Sequence, residues 1–307
     1  MDPGYDPEMP LGRPLQGLDG IEGAASGLPS DRLVRRRFVL RSLRRSPTFL
    51  TGAGILLFWI VMAAVSTHLT KFGPDSIDPY HTLAGPSGLH WFGTDENGRD
   101  VLSRTLAGAR TVLVIAPLAT LLCLLMGGTI GLIAGFFKGY ADEILMRFVD
   151  VLLSLPVIIA AIVIVTVLGH SLPNIILTIA ILFTAPVART IRSAVVSERE
   201  KEYVQAARLR GEHAPYIMGA EILPNILGPI IVEGTVRLGY AVFTAATLSF
   251  LGFGLTAPSP DWGLTISNDY QYIQGSWWTV LFPAMALASL VVGANLLADG
   301  LRKALEE

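Results

Sequence analysis

Six long apolar runs constrain this chain more than any motif it carries. A helix that crosses the hydrocarbon core of a bilayer needs about 20 mainly apolar residues. The runs are Phe49–Leu69, Thr111–Phe137, Ile144–Leu168, Leu172–Val187, Ile226–Leu255 and Trp278–Ala298. The fourth is short, and the fifth is long enough to tilt or break. Only 16% of the 307 residues are charged, against about 25% in an ordinary soluble domain. The expected fold class is all-α integral membrane, with six transmembrane helices.

Lys and Arg decide which way such a bundle faces, because cytosolic segments retain an excess of them. With the N-terminus in the cytosol, the inside segments hold 18 of the 23 basic residues. Outside lie Lys71, Arg99, Arg104 and Arg110, and Arg237 falls within a span. Both termini are therefore expected in the cytosol. Residues 1–30 are rich in Gly, Pro and acid and read as a flexible tail, with no apolar stretch of the kind a cleaved secretory signal carries. Asp31–Arg45 holds seven arginines that do not segregate to one helical face. This is a basic segment for anionic headgroups or a positive-inside anchor. The domain reading that follows is a cytosolic tail over 1–37, an N-terminal region over 38–110 with the first span and an outer loop, a transmembrane core over 111–300 and a cytosolic end over 301–307.

Sites of chemistry are scarce. There is no G-x-x-x-x-G-K-[ST] and no Gly-Lys dipeptide, so no Walker A loop can cradle ATP. No G-x-S-x-G, no H-E-x-x-H and no nucleophile–histidine spacing occurs. The five histidines show no metal-ligand spacing and the single cysteine, Cys123, lies in an apolar run. The chain is expected to be non-catalytic, with no bound cofactor or metal, and the net charge of -2 gives no sign of a nucleic-acid partner.

Three features inside the spans stand out. Gly127, Gly131 and Gly135 share one helical face and invite close approach of another helix. Pro117, Pro156 and Pro186 each remove a backbone donor and can kink their helices. Glu233 and Arg237, four residues apart, share a face and can pair. They must meet protein or water rather than lipid, either as a pathway lining or as a structural pair.

The longest charged interruption is cytosolic, Arg189–Pro224. Residues 190–209 are good helix formers, Gly211 suits a left-handed cap, and Pro215 suits the start of a second short helix. Ala206 and Ala207 leave that helix nearly bare, so another surface can seat on it. Gln205-Ala206-Ala207, three residues, Gly211, then Leu223-Pro224 resembles the coupling loop of ABC-importer permeases. Gln205 replaces the Glu usual in that motif, and Glu221 replaces an apolar residue.

The resemblance continues through Gly93–Arg104, Gly108–Arg110, Glu202–Arg208, Leu248–Gly254, Pro258–Gly263 and Leu296–Arg302. In that order these motifs are similar to the C-type permease subunit of dipeptide, oligopeptide and nickel importers, over roughly residues 38–305. The resemblance implies the type I importer architecture in the cell membrane. It implies a heterodimer with a homologous B-type permease, two cytosolic ATPases that carry ATP and Mg, and an extracytoplasmic binding protein. It places ATPase coupling on Glu202, Gln205, Ala206, Ala207, Arg208 and Gly211. Glu233 and Arg237 are expected along the pathway, and Asp95, Arg99, Asp100 and Trp262 at the binding-protein face. Peptides are the leading substrate, with nickel or other metal chelates as the alternative. A membrane enzyme or stand-alone channel is the competing class.

Overall fold

A computed structural model describes residues 42–306. The expected tail and all of the basic segment before Ser42 lie outside them. From Leu43 onward the chain forms one compact unit, and among the described residues every regular element is a helix. Four helices are long and apolar enough to cross a membrane, and six spans result when each of two sharply bent helix pairs is taken as one.

The first span is α1 (Pro47–Leu69), opened by Ser46, whose side chain accepts from the Phe49 amide. The second, α2 (Val101–Phe136), begins ten residues before the apolar run. Asp100 caps it, accepting from the Ser103 amide at 2.8 Å. The 110/111 boundary expected from sequence therefore falls inside one continuous helix. Pro117 sits in α2 without interrupting it.

The expected third span is not one helix. It is α3 (Tyr140–Ser154) and α4 (Val157–Leu168), bent by 95°. The cause is Pro156. It has no amide hydrogen, and its ring drives the preceding residue out of the helical region. Leu155 accordingly sits at φ -92, ψ 134.

The fourth span, short by apolar content, is α5 (Leu172–Glu198), 27 residues long. It carries its last turns past the membrane as a polar helix, with Arg189 and Arg192 paired to Asp150 and Asp142 of α3. After α5 come α6 (Glu202–Leu209) and a short irregular helix, α7 (Ala214–Asn225). A 69° bend leads into α8 (Leu227–Phe250). The extracytoplasmic side adds α9 (Trp262–Asp269), and α10 (Trp278–Glu306) closes the chain.

The core pairing is α2 on α5. The glycine repeat explains it: a Cβ added at Gly127, Gly131 or Gly135 would lie 2.5–2.6 Å from Thr184 O, Ala188 O or Val195 Cβ of α5. With no hydrophobic drive between helices in lipid, such backbone-to-backbone approach is what gives the pair its dispersion energy. A second close pair, α1 on α10, adds a side-chain tie, the Trp59 Nε1 donating to Ser289 Oγ at 2.8 Å.

Candidate functional site

The cytosolic loop is built from charged ties rather than propensity. The sequence predicts one helix over 190–209, but the helix stops at Glu198 and restarts at Glu202. Arg199 donates from Nη1 to the Gly135 carbonyl and, at 3.4 Å, to that of Phe136. These are C-terminal carbonyls of α2 with no partner within that helix. Glu198 accepts from Lys201 at 2.9 Å and from the Tyr203 hydroxyl at 2.8 Å. Burial, and then the Glu198 carboxylate, hold the Tyr203 phenol well above its ordinary pKa. The turn at 199–201 is thus pinned to the end of α2 on one side and to α6 on the other.

Helix α6 ends as the sequence predicts. Gly211 has φ +78, its amide bonds the Arg208 carbonyl, and the Glu212 amide bonds that of Ala207 at 3.2 Å. This pair of reversed bonds is the Schellman cap that a left-handed glycine permits. Pro215 lies in the first turn of α7, again as expected. Arg210 Nη2 lies 3.2 Å from Glu221 Oε1, so the Glu that departs from the motif joins α6's end to α7. Gln205 Nε2 donates to the Glu200 carbonyl at 3.0 Å. A glutamate there, an acceptor only when ionised, could not make that bond.

The six coupling residues do not share one environment. Ala207 is fully buried in this subunit's own core with Val204, and Tyr203 packs against the same cluster. The bare alanine face therefore splits. Ala207 lets α6 settle onto its own chain, while Ala206 faces outward with Glu202, Gln205 and Arg208. Leu209 is 90% exposed. Positions 202, 205, 206 and 209 follow the i, i+3, i+4, i+7 spacing of one helical face. The sequence reading missed Leu209. Its signal was a leucine out of phase with Val204 and Ala207.

The four residues expected at the binding-protein face are interior. Asp95 and Trp262 are fully buried, Asp100 is 4% exposed and Arg99 8%. They hold the extracytoplasmic cap together and offer no free side chain to a partner. Trp262 donates to the Thr105 carbonyl of α2 at 2.7 Å and meets Trp59 edge-on. Arg99 Nε bonds Asp95 at 2.7 Å. Arg104, which the sequence reading passed over, donates to the carbonyls of Pro74, Pro258 and Ser259. It staples both outer loops to α2. Under this cap Asp269 is buried with Oδ1 unpartnered. Burial first, then the charges of Asp95 and Glu96, push its carboxyl up to about 7 against the pull of Arg99 and Arg104. The exposed aromatics outside are Tyr80, Trp91, Tyr270 and Trp277.

Glu233 and Arg237 are brought together as the spacing predicts, Nε to Oε1 at 2.7 Å. The guanidinium also lies over the rings of Phe183 and Tyr240 at 5.8 and 5.4 Å. Carboxylate and aromatic faces both lower the cost of a cation at this depth.

Comparison with known proteins agrees with this architecture. Residues 127–307 match the family described as binding-protein-dependent transport system inner membrane component. The dipeptide transport system permease of Alkalihalophilus pseudofirmus is 40% identical over 270 residues, covering 88% of this chain and 89% of the relative. A probable D,D-dipeptide permease of Escherichia coli is 36% identical, covering 86% and 89%. A glutathione transport permease of Pectobacterium atrosepticum is 35% identical, covering 90% and 93%. A helical bundle with a tied cytosolic loop and close relatives along nearly its whole length leaves one conclusion: this chain belongs to the inner-membrane permease components of binding-protein-dependent ABC transport systems.

Proposed function

We propose that the chain forms, with a homologous permease, the pathway of a peptide importer, and that α6 is where ATPase subunits drive it. The relatives described above are named as dipeptide, D,D-dipeptide and glutathione permeases, which favours short peptides over metal chelates. ATP and Mg belong to the ATPase partners in this reading, and an extracytoplasmic binding protein delivers the substrate.

The observation that carries the proposal is the two-sided character of α6. One side is locked into the subunit through Val204 and Ala207. The other presents Glu202, Gln205, Ala206 and Leu209 outward. A lever needs both a fixed face and a free one. Glu233 and Arg237 line the pathway in this reading, where they can meet peptide termini.

The test is Ala206→Asp and Leu209→Asp in the complete complex. Both variants should fold, because neither side chain is interior. Co-purification of the ATPases and peptide-stimulated ATP hydrolysis should each fall at least tenfold, about 1.4 kcal/mol of lost coupling. Unchanged co-purification and hydrolysis in both variants would sink the reading.

A further inference from the structure

We propose that the extracytoplasmic loop holds a divalent transition-metal ion between His90 Nε2, His81 Nδ1 and Asp78 Oδ2. One ligand atom from each of the three residues lies within 4.8 Å of the other two. Asp78 Oδ2 is 2.8 Å from His81 Nδ1 and 4.0 Å from His90 Nε2. Two ligand atoms about 2.1 Å from a tetrahedral zinc-like ion lie roughly 3.4 Å apart, and the observed separations bracket that value.

The decisive member is His90. It is 2% exposed, and its Nε2 is buried with no hydrogen-bond partner. Such a group has given up its hydration with nothing in the protein to replace it. Its other nitrogen, Nδ1, lies 2.9 Å from Asp100 Oδ1. Asp100 is also the acceptor for the Ser103 amide and hydroxyl, so its carboxylate is fixed as an acceptor and Nδ1 carries the proton. The unprotonated, unpartnered Nε2 then lies 4.0 Å from the Asp78 carboxylate. That same Asp78 oxygen lies 2.8 Å from His81 Nδ1, so a cation at this point would meet all three groups at once. A proton on Nε2 is the simple alternative, but 4.0 Å is too long for a hydrogen bond to Asp78. The arrangement is the carboxylate–histidine–metal relay, in which a second carboxylate sets the tautomer of the ligating ring.

The backbone holds all three ligands in place before any ion arrives. The Asp78 amide bonds the Gly98 carbonyl at 3.0 Å, and the His81 amide bonds the Asp78 carbonyl at 3.2 Å. The His90 amide bonds Ser87 Oγ at 3.1 Å, and its ring stacks on Phe72. Isolated bridges pair Ile77 with Arg99 and Thr94 with Asp100. Two imidazoles and one carboxylate suit zinc or a neighbouring late first-row ion, with water in the fourth position on the exposed His81 side. Asp100 caps α2, so the ion would tie the outer loop to the helix that packs most extensively in the core.

The experiment is a titration of the chelator-stripped, full-length complex, purified without a histidine tag, with Co2+ followed by its visible absorption. Zn2+ competition gives the affinity. The expected result is one high-affinity equivalent in the wild type that is lost in His81→Ala, a substitution at a half-exposed side chain. Its melting temperature without metal should match the wild type's. Asp100→Asn should weaken binding 10–100-fold, and His81→Cys should retain it with a red-shifted, thiolate-containing spectrum. Absence of a stoichiometric equivalent in the wild type, or binding that His81→Ala leaves unchanged, would overturn the proposal.

Discussion

Gly131→Ala isolates the contact that holds the core together. The new Cβ would sit 2.5 Å from the Ala188 carbonyl and 2.9 Å from the Arg192 amide of α5. Both are backbone atoms of a helix, so neither can rotate away. The shortfall against ordinary contact is roughly 1 Å, and it is met by moving one helix off the other. Overpacking of this kind costs about 1–3 kcal/mol. Gly128 supplies the control. Its added Cβ would meet only Ile191 Cδ1 at 3.6 Å, the flexible end of a side chain. Both substitutions bring the same intrinsic helix preference, about 1 kcal/mol in favour of alanine, so that gain cancels in the comparison. Gly131→Ala should therefore be less stable than Gly128→Ala by about 1–3 kcal/mol. Reversible unfolding in mixed micelles or by steric trapping measures this directly. Equal stabilities within about 0.5 kcal/mol, the ordinary scatter of harmless substitutions, would refute backbone-to-backbone packing of α2 on α5.

Asp269 and the buried charge pair give two further tests. Asp269 has its folded pKa raised to about 7, so the native state binds its proton more tightly than the unfolded chain does. Its contribution is fully present below about pH 4, the unfolded value. It is lost as pH rises through about 7, at no more than about 1.4 kcal/mol per pH unit. Asp269→Asn should accordingly gain on the wild type between pH 4 and 8 in thermal melts of the complex. A difference between the two that is flat with pH contradicts the buried, protonated carboxyl. Arg237→Met alone leaves Glu233 charged and unpaired at membrane depth and should cut folded yield, the cost of breaking a buried pair being about 3–5 kcal/mol. Glu233→Gln with Arg237→Met should restore yield yet lower peptide uptake at least tenfold. Wild-type uptake in that double variant would remove the pair from the pathway.

Hydropathy made the spans legible because lipid imposes one simple rule on every residue of a run. It misplaced their ends where helices continue into water. The polar turns of α5 beyond Val187, and the ten residues of α2 before Thr111, are helical through packing and ion pairs such as Arg192 with Asp142. The break at Pro156 was legible as a kink, since proline acts locally, but its 95° depends on how α3 and α4 pack. The cap at Gly211 was legible for the same local reason. The turn at Arg199–Lys201 was not, because its cause is an arginine reaching carbonyls 64 and 63 residues away. Asp95, Arg99, Asp100 and Trp262 looked like surface recognition residues because charge and tryptophan in an outer loop usually face out. Their burial follows from the fold of the cap, which residue spacing does not encode. The same blindness hid the histidine pair: His81 meets Asp78 through a local turn, but His90, nine residues further on, reaches it only because the chain reverses between Ile77 and Arg99.

The ties around α6 determine what a push on that helix can move. Tyr203 binds it to the last residue of α5, and Arg199 binds the intervening turn to the last carbonyls of α2. Helices α2 and α5 are themselves seated at backbone contact along the three glycines. Sliding one past the other would bring each glycine position against a bulkier neighbour and lose the close approach, so a force entering at α6 is carried by the two helices together. Arg192 and Arg189 bring α3 along through Asp142 and Asp150. The soft point lies on the other side. Between α7 and α8 the chain bends by 69° at Ile226, where the backbone leaves helical geometry at φ -100, ψ 7, while α6 stays joined to α7 through Arg210–Glu221 and through Val204 and Ala207 in one core with Ile217 and Ile222. Motion imposed at α6 would therefore reach the membrane as a rigid shift of α2, α3 and α5, with the Ile226 bend absorbing the change in angle to α8, the helix that carries Glu233 and Arg237.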